Sequence, residues 1–450
     1  MNNRLSAIFK GDKVIWMVFF FLCLVSVIEV FSASSSLTYK TGDYLSPVSK
    51  HLGILIIGIF LMLVTLNIKC RYFKLATPIL LIVSVFTLFL VLIAGHSVNG
   101  AGRWLSFFGM QFQPSEIAKG TMVLATAQIL SAMQTDHGAD RHAFKYILIV
   151  WLFIVPMIAR ENLSTAALLS FVVFLMMVIG RVPVRQLMKV VAAVVLLVVI
   201  AISSVMAFGD EKGAQDSQQT MTEAVARNGK TVQPKHTGSL HRMDTWKARI
   251  YNFLDHKYVP PEKVDLDKDA QTSYANIAIA SSGFLGKGPG NSEERDFLPQ
   301  AFSDYIYAII IEETGLLGAF FVAMLYIILL FRTGRIANRC ENNFPAFLAM
   351  GLALLLVIQA LFNMCVAVGI VPVTGQPLPL VSKGGTSSII NCIYIGVILS
   401  VSRTAKKNST DTKDDTKDNA KDITKDTATA TSAATVTAVS GNEAQRPQQK

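Results

Sequence analysis

Long apolar segments recur along the whole chain, and they limit its possible folds more than any other feature of the sequence. Most approach the roughly 20 residues that a helix needs to cross a bilayer. Lipid offers the backbone no hydrogen-bond partners, so only helices or a closed barrel can span it. The segments are continuously apolar rather than alternating, which favours helices. We therefore predict an all-α polytopic membrane protein with about ten transmembrane helices, at residues 14–31, 51–68, 75–94, 114–133, 146–158, 164–180, 190–208, 305–331, 344–368 and 386–402.

The overall composition agrees with a membrane protein and excludes a soluble multidomain chain. The 450 residues are 52% hydrophobic and only 16% charged, whereas soluble domains carry about 25% charged residues. The formal net charge of +10 would suit nucleic-acid binding if the cations formed one patch. Residues 209–303 and 404–450 are nearly neutral, and the excess positive charge is spread over the spans and short loops, so we predict a membrane environment and no nucleic-acid partner.

The Lys and Arg residues of the short loops indicate the orientation of the chain. Cytoplasmic loops carry an excess of these residues, and alternate loops of this chain differ strongly in that respect. With a cytoplasmic N-terminus, an even number of spans also returns the C-terminus to the cytoplasm. The cations on the cytoplasmic side are then Arg4, Lys10, Lys13, Lys69, Arg71, Lys74, Arg141, Lys145, Arg181, Arg185, Lys189, Arg332, Arg335, Arg339 and Arg403. The short external loops keep only Lys40, Lys50, Arg103, Arg160 and Lys383.

The segments outside the spans complete the predicted organisation. The first span follows two lysines as a signal peptide does, but its apolar run is longer, so we predict an uncleaved helix. Residues 209–303 form a long external loop between helices 7 and 8. Residues 404–450 are rich in Thr, Ala, Lys and Asp and have almost nothing to bury, so we predict a disordered cytoplasmic tail. The membrane domain is thus predicted over residues 1–403.

The cysteine and histidine residues predict neither disulfides nor a dedicated metal site. None of the five Cys lies in the predicted external regions, so no disulfide framework is expected there. The seven His are scattered, and no HExxH, CxxC or other cluster has the spacing of metal ligands.

Some ionisable residues lie within the predicted spans, where burial is costly and a functional role is the default explanation. Pro114 suits the start of a helix, and Glu116 then occupies the first turn, where the helix dipole favours a negative charge. Lys119 follows three residues later on the same face. Two interpretations of this pair stay open: a structural ion pair, or a polar site for a lipid head group. The full set is Glu29, Glu116, Lys119, Asp304, Glu312 and Glu313.

Asp304 lies at the outer end of the eighth predicted span and also has two interpretations. Either Ser303 or Asp304 could cap that helix. A carboxylate at the membrane–water boundary could alternatively act as a general base. Glu312 and Glu313 lie about two turns deeper and face different sides of the helix. We therefore expect no carboxylate pair there, and we expect one of the two to satisfy a neighbouring helix.

Glycine and proline interrupt the apolar pattern in two places. The glycine-rich turn, residues 283–290, resembles a phosphate-binding loop, but no strand precedes it, so we predict a structural turn. The irregular segment, residues 372–386, contains three Pro and three Gly between the last two spans. Irregular backbone at membrane depth is tolerated only where it is buried or lines a cavity. We predict that its backbone amides and Lys383 hold an anionic group.

Three blocks of sequence together resemble the signature of the FtsW/RodA (SEDS) family. Their order and spacing fit a ten-helix member over about residues 6–403. Residues 283–292 and 162–166 are more similar to the FtsW branch of Bacteroidetes-type bacteria than to the RodA branch. The blocks are NGAGRW at 99–104 followed by QPSE at 113–116 and Lys119; LPQAFSDYIYA at 298–308 followed by EETG at 312–315; and PVTG at 372–375 followed by LP at 378–379 and SKGGTS at 382–387.

The resemblance implies an activity, a location and partners. Members of this family polymerise lipid II into glycan strands on the outer face of the bacterial inner membrane. The implied function is a peptidoglycan glycosyltransferase of septal cell-wall synthesis and cell division, with an active site facing the periplasm. The implied partners are the lipid II substrate, a class B penicillin-binding protein transpeptidase and other divisome proteins.

The resemblance also assigns roles to residues. The family's catalytic aspartate matches Asp304, which we expect to be the general base. The family's loop and cavity positions match Arg103, Trp104, Gln113, Glu116 and Lys119, and the irregular segment adds Ser382, Lys383, Gly384 and Gly385. We expect Arg103, with Lys383, to stabilise the pyrophosphate leaving group, and Trp104 to stack on sugar or pack the loop. No cofactor is predicted with certainty; a divalent cation could assist, although no cluster specifies one.

Two differences from the family's pattern limit the inference, and alternative functions stay open. Many members have Pro-Asp-Leu-Gly-Thr where residues 161–165 read Glu-Asn-Leu-Ser-Thr, so any role of that aspartate cannot be transferred. Many also have Tyr where this chain has Lys383. The alternatives are a lipid II flippase, a RodA-type elongation polymerase and a non-catalytic scaffold for a partner synthase.

Overall fold

The computed structural model of the protein describes residues 10–33, 46–94, 96–98, 101–107, 110–208, 270–298 and 301–405. Within this part of the chain a helix lies at each predicted span, and one further short helix, α8, precedes the glycine-rich turn. Most of the predicted external loop 209–303, and the predicted tail beyond residue 405, lie outside the described residues. The helices are α1 Lys13–Ala33, α2 Ser46–Asn67, α3 Cys70–Ala94, α4 Pro114–Ala132, α5 Arg141–Glu161, α6 Leu163–Ile179, α7 Val184–Phe208, α8 Ala270–Ser281, α9 Ile306–Ala337, α10 Asn343–Ala367 and α11 Thr386–Ala405.

The length and composition of the described helices support a polytopic helical membrane protein. Seven of them, α1, α2, α3, α5, α9, α10 and α11, are long and apolar enough to cross a bilayer, and α6 is apolar but shorter. The predicted fold class is thus confirmed in this respect, and the count of ten spans stays a prediction. The expectation of a short fifth span was wrong. Helix α5 runs from Arg141 to Glu161, because its charged ends, which an apolar window excludes, continue the helix.

Helix α4 lies among other helices and shows why a central segment need not be strongly apolar. It contacts α3, α5, α6 and α10, and most of its side chains are buried. Ser84 of α3 donates a hydrogen bond to Thr121 of α4 at 2.9 Å. Because protein surrounds α4, a polar side chain such as Thr121 finds a partner within the bundle.

Close contacts at glycine residues fix the position of the last helix. A Cβ atom on Gly120 of α4 would lie 2.6 Å from the ring of Tyr394 on α11. The ring is held there, because its hydroxyl donates to the carbonyl oxygen of Glu116 at 2.7 Å. A Cβ atom on Gly396 of α11 would likewise lie 2.7 Å from the carbonyl oxygen of Met62 on α2. Small residues at such contacts let membrane helices pack closely.

Five short strands correct the all-α prediction. β1 His96–Val98, β2 Ala101–Phe107 and β3 Met110–Phe112 form an antiparallel sheet between α3 and α4. In this sheet Trp104 pairs with His96, and Leu105 pairs with Phe112. β4 Gln134–Thr135 and β5 Gly138–Ala139 form a hairpin between α4 and α5. Four of the strands have only two or three residues, too few for an alternating sequence pattern, and the seven residues of β2 do not alternate between apolar and polar.

Helix α9 is broken at Gly315, whose φ of 70° and ψ of −170° are not helical. The carbonyl groups of Glu312 and Glu313 lie just before the break. The backbone amides of Lys287 and Gly288 donate to these two carbonyls at 2.9 and 2.8 Å. The glycine-rich turn therefore docks into the break, and its predicted role as a structural turn is confirmed.

The side chains of Glu312 and Glu313 bind the same turn. Glu312 forms an ion pair with Lys287 at 2.9 Å, and this bond is the main reason why the pKa of Lys287 lies above its usual value. Glu313 accepts hydrogen bonds from the amide of Gly290 at 2.9 Å and from the hydroxyl of Ser32 on α1. The expectation that one of the two glutamates satisfies a neighbouring helix is thus confirmed.

Replacing Gly120 by alanine should destabilise the bundle. The added methyl group overlaps the Tyr394 ring, and overpacking of this kind costs about 1–3 kcal/mol. Gly53→Ala on α2 is the matched control, because nothing lies within 4 Å of its Cβ position. Thermal unfolding of the detergent-solubilised protein measures the difference. Equal midpoints for the two variants would contradict this account of the packing.

Replacing Glu312 by glutamine should loosen the docked turn. The variant keeps the shape but leaves the Lys287 ammonium without its buried partner, a loss of about 1–3 kcal/mol. Glu293 also contacts Lys287, at 3.0 Å, but its side chain is 76% exposed. Glu293→Gln should therefore change little. Limited proteolysis after residue 287, together with thermal unfolding, separates the two variants, and equal behaviour would count against the proposed docking.

Candidate functional site

Asp304 lies in a turn immediately before α9, beside the irregular segment. The N-cap residue of α9 is Tyr305, so neither Ser303 nor Asp304 holds the capping position that the sequence suggested. The Ser303 hydroxyl donates to Asp304 Oδ1 at 2.9 Å. A Cβ atom on Gly375 would lie 3.3 Å from Asp304 Oδ2. The partly buried carboxylate is thus directed towards the backbone of the irregular segment.

The backbone of this turn is tied to the irregular segment and to α10. The side-chain amide of Asn363 donates both to the carbonyl of Asp304, at 2.8 Å, and to that of Gln376, at 2.7 Å. The hydroxyl of Ser382 donates to the carbonyl of Ser303 at 2.6 Å. The buried Asn363 therefore fixes the position of Asp304 relative to the irregular segment.

Side chains from four helices hold the irregular segment itself. Thr165 of α6 accepts from Gln376 at 2.7 Å, and Gln359 of α10 donates to the carbonyl of Pro377 at 3.1 Å. Tyr326 of α9 donates to the carbonyl of Pro379, and Ser26 of α1 to that of Val381 at 2.7 Å. The prediction of an irregular, buried backbone between α10 and α11 is thus confirmed, and side chains of the bundle bind the carbonyl groups of Pro377, Pro379 and Val381.

The predicted ion pair of α4 exists and lies beneath the irregular segment. Lys119 Nζ is 2.9 Å from Glu116 Oε1 and 2.8 Å from Gln359 Oε1. Ser387, in the first turn of α11, donates to Glu116 Oε2 at 3.2 Å. Lys119 is completely buried. Of the two interpretations, the geometry matches the structural ion pair, which supports the segment through Gln359.

Lys383 is a half-buried cation next to the Asp304 turn. Its backbone amide donates to the carbonyl of Phe302 at 3.0 Å, and its Nζ lies 5.0 Å from the centre of the Phe302 ring. Burial, and secondarily the charge of Lys50, hold the pKa of Lys383 below its usual value. Within the described residues no carboxylate lies within 4 Å of Lys383 Nζ. The site therefore has a cation available for an anionic group.

The other predicted residues of the irregular segment shape the backbone around Lys383. Ser382 is buried and accepts from the amide of Leu378 at 2.8 Å, besides binding the Asp304 turn. Gly384 and Gly385 lie between Lys383 and α11, and Gly385 has a φ of 54°, which favours glycine. The structure thus brings Asp304 and residues 382–385 together.

Gln113 lies in front of α4 at a small crevice. It holds the N-cap position of α4 without a side-chain cap bond. The crevice has a volume of about 20 Å³ and is also lined by Met157 and Asn162, so it has room for about one water molecule. Asn162 caps α6 by accepting from the amide of Thr165 at 3.2 Å. Asn162 occupies the position at which the family's pattern often has aspartate, and in this chain its side-chain amide oxygen caps α6.

Arg103 and Trp104 lie in a second group, on the small sheet. Both belong to β2, which packs against α3, α4 and α5. Trp104 is half-buried, and the placement of the Arg103 side chain lies outside the described atoms. The structure therefore places these two residues on the small sheet, next to α3, α4 and α5. Whether they contact the group around Asp304 stays a prediction.

Three residues that position the site were missed in the sequence. Gln359 and Asn363 are polar residues four positions apart within an otherwise apolar run, so they share a helix face. That spacing is a signal that could have identified them. Thr165 gave no such signal, because a threonine that binds its own helix is common in apolar helices. Within the described residues, no group of three or more His, Cys, Asp or Glu is arranged to hold a metal ion.

Comparison with known proteins identifies a family. The family model described as "Cell cycle protein", which covers FtsW, RodA and SpoVE, matches residues 12–407. The "Probable peptidoglycan glycosyltransferase FtsW" of Geobacter sp. (strain M18) is 28% identical over 396 residues, which are 87% of this chain and 96% of that protein. The protein of the same name from Idiomarina loihiensis is 27% identical over 396 residues, covering 87% and 86% of the two chains.

Solved structures have the same fold. One, described as "Structural coordination of polymerization and crosslinking by a peptidoglycan synthase complex", has a TM-score of 0.65 at 23% identity and covers 88% of this chain and 98% of that chain. The Thermus thermophilus rod shape determining protein RodA has a TM-score of 0.58 at 21% identity, covering 87% and 97%. The family match spans nearly all of the described residues. This chain is a multi-pass membrane protein that belongs to the FtsW/RodA/SpoVE family.

Proposed function

We propose that this protein is a peptidoglycan glycosyltransferase that polymerises lipid II into glycan strands during septal cell-wall synthesis and cell division. The observation that carries the proposal is the match over residues 12–407 to a family whose relatives are named probable peptidoglycan glycosyltransferases FtsW. The held position of Asp304 beside a cation supports it, because glycosyl transfer from a pyrophosphate needs a base and a positive charge.

In the proposed reaction, a sugar hydroxyl of one lipid-linked substrate attacks the anomeric carbon of the other. The new C–O bond forms as the bond to the pyrophosphate breaks with inversion, and the pyrophosphate leaves with the electron pair. Asp304 accepts the proton of the attacking hydroxyl. Its carboxylate is suited to this role because the bonds of Asn363 and Ser382 hold its turn in place.

Positive charge is required where the lipid pyrophosphate departs. Lys383 lies in the segment bonded to the Asp304 turn, and we assign it to the leaving group together with Arg103. Nothing lies within 4 Å of the Cβ position of Gly385, which leaves room for a phosphate near the first turn of α11. Trp104, Gln113, Glu116 and Lys119 complete the proposed substrate region, the ion pair of the last two acting through the irregular segment.

The proposed location follows from the charge distribution and from the family. With the predicted ten spans and cytoplasmic termini, we propose that Asp304 and Lys383 lie on the periplasmic side of the bacterial inner membrane. The membrane domain, predicted over residues 1–403, ends with α11. We also propose a class B penicillin-binding protein transpeptidase and other divisome proteins as partners. The similar structure described as a peptidoglycan synthase complex supports a partner of this kind.

Replacing Asp304 should abolish polymerisation without unfolding the protein. Both Asp304→Ala and Asp304→Asn should lower the rate by about 10²–10⁴-fold, because either change removes the base. Asp296→Asn removes another external carboxylate and should leave the rate unchanged. Lipid II polymerisation by purified protein, with and without the transpeptidase partner, is measured by gel analysis of the glycan products. A near-normal rate for folded Asp304→Ala would refute the proposal, and transfer of lipid II across vesicles without lengthening would favour a flippase.

Replacing Lys383 should slow the reaction when the positive charge is lost, and much less when the charge is kept. Lys383→Gln should lower kcat/KM by about tenfold or more, as for the loss of one stabilising charge, while Lys383→Arg should retain most of it. The same polymerisation assay, with initial rates at several lipid II concentrations, measures this. Equal rates for the Gln and Arg variants would remove Lys383 from the proposed leaving-group site.

A further inference from the structure

A second cavity lies at the end of the bundle opposite Asp304. Glu116 lies near the irregular segment, and the 19 residues of α4 extend about 28 Å from there. The β4–β5 hairpin follows at the far end of α4. Together with the start of α5 and the α6–α7 turn, it forms the walls of an open surface cavity of about 530 Å³. The cavity shares no residue with the site around Asp304.

The walls of this cavity are connected by specific bonds. The amide of Ala139 in the hairpin donates to the carbonyl of Gly180 at the end of α6, at 3.2 Å. Gln186 of α7 donates to the carbonyl of Arg141 at the start of α5, at 3.0 Å. Gly138, with a φ of 124°, lies so close to Arg181 that a Cβ atom would be 2.6 Å from the Arg181 carbonyl. Hydrogen bonds and close packing therefore fix the walls of the cavity relative to one another.

Two arginines from different walls line the cavity together with Asp140, and within the described residues neither arginine forms an ion pair. Arg141 and Arg181 are both exposed, and within the described residues neither has a carboxylate within 4 Å. The neighbouring Asp140 is engaged by His142, whose amide and ring nitrogen both lie 2.8 Å from its carboxylate. The remaining acid of the hairpin is Asp136 in its exposed turn. Guanidinium groups are suited to binding phosphate, because their planar fork matches its oxygens bidentately.

Apolar side chains flank the cavity on the outer surface of the bundle. Val184 and Met188 on the first turns of α7 are 70% and 58% exposed, and Tyr146 of α5 is 48% exposed. In a membrane protein such residues face the lipid. The arginines therefore lie where a head group and its acyl chains could be bound together, and Lys145, Arg185 and Lys189 add positive charge nearby.

We propose that this cavity is a binding site for an anionic phospholipid, whose phosphate is held by Arg141 and Arg181. Basic pockets between membrane helices on the cytoplasmic side bind such head groups. The adjoining apolar surface of α5 and α7 favours a lipid over free phosphate, since it adds contacts for acyl chains. The site is independent of the glycosyltransferase reaction, so its test needs no measurement of activity.

Thermal unfolding in neutral detergent, titrated separately with phosphatidylglycerol, cardiolipin, phosphatidylcholine and inorganic phosphate, tests this proposal. The two anionic lipids should raise the unfolding midpoint of the unmodified protein, and phosphatidylcholine should not. The double variant R141Q/R181Q should lose most of the shift. The matched control R335Q/R339Q, which removes two arginines from the end of α9, should keep it.

Each other outcome overturns the proposal. Equal stabilisation by phosphatidylcholine would show binding through acyl chains alone, and an equal shift with inorganic phosphate would assign the site to a free anion. An undiminished shift in R141Q/R181Q would remove the arginines from the site. If that variant is poorly folded, native mass spectrometry of R181Q replaces it, and retention of as many bound anionic lipids as the unmodified protein would also overturn the proposal.

Discussion

The hydrogen bonds of irregular backbone at membrane depth are the constraint on which the rest of this structure depends. Lipid cannot satisfy an exposed amide or carbonyl group, yet the chain leaves the helical conformation in the irregular segment and again at Gly315. In both places other parts of the protein supply the partners. Side chains from α1, α6, α9 and α10 bind the irregular segment, and the glycine-rich turn binds the carbonyls at Gly315. Several buried polar residues, among them Ser26, Gln359 and Asn363, are thus explained by the irregular backbone that they bind.

The same bonds determine where the candidate site lies. The amide of Asn363 joins the Asp304 turn to the irregular segment, and Gln359 joins that segment to the Glu116–Lys119 pair. The first half of α9, which begins directly after Asp304, is fixed at its other end by the docked turn. Asp304 and Lys383 are therefore held near each other by groups that do not themselves take part in the proposed reaction. Such support is what an accurately positioned site requires.

The sequence predicts the apolar elements well because their signal is local. A described helix lies at each predicted span, and the role of the glycine-rich turn followed from the missing strand before it. Each error has a physical cause. The charged ends of α5 are helical because helix geometry continues beyond the apolar core. The capping position before α9 went to Tyr305 instead of Asp304. The contacts of Gln359, Asn363 and Thr165 join residues far apart in the chain, and no single-sequence pattern records such pairings.

The central claim is that polar side chains beneath the irregular segment position Asp304 for its reaction with lipid II. Initial rates of lipid II polymerisation by Asn363→Ala test it most directly, because this change removes the amide that joins Asp304 to Gln376 and leaves the carboxylate and Lys383 in place. We expect kcat to fall at least tenfold, about 1.4 kcal/mol in the barrier, while KM changes little and the protein stays folded. An unchanged kcat, or a loss confined to KM, would contradict the account.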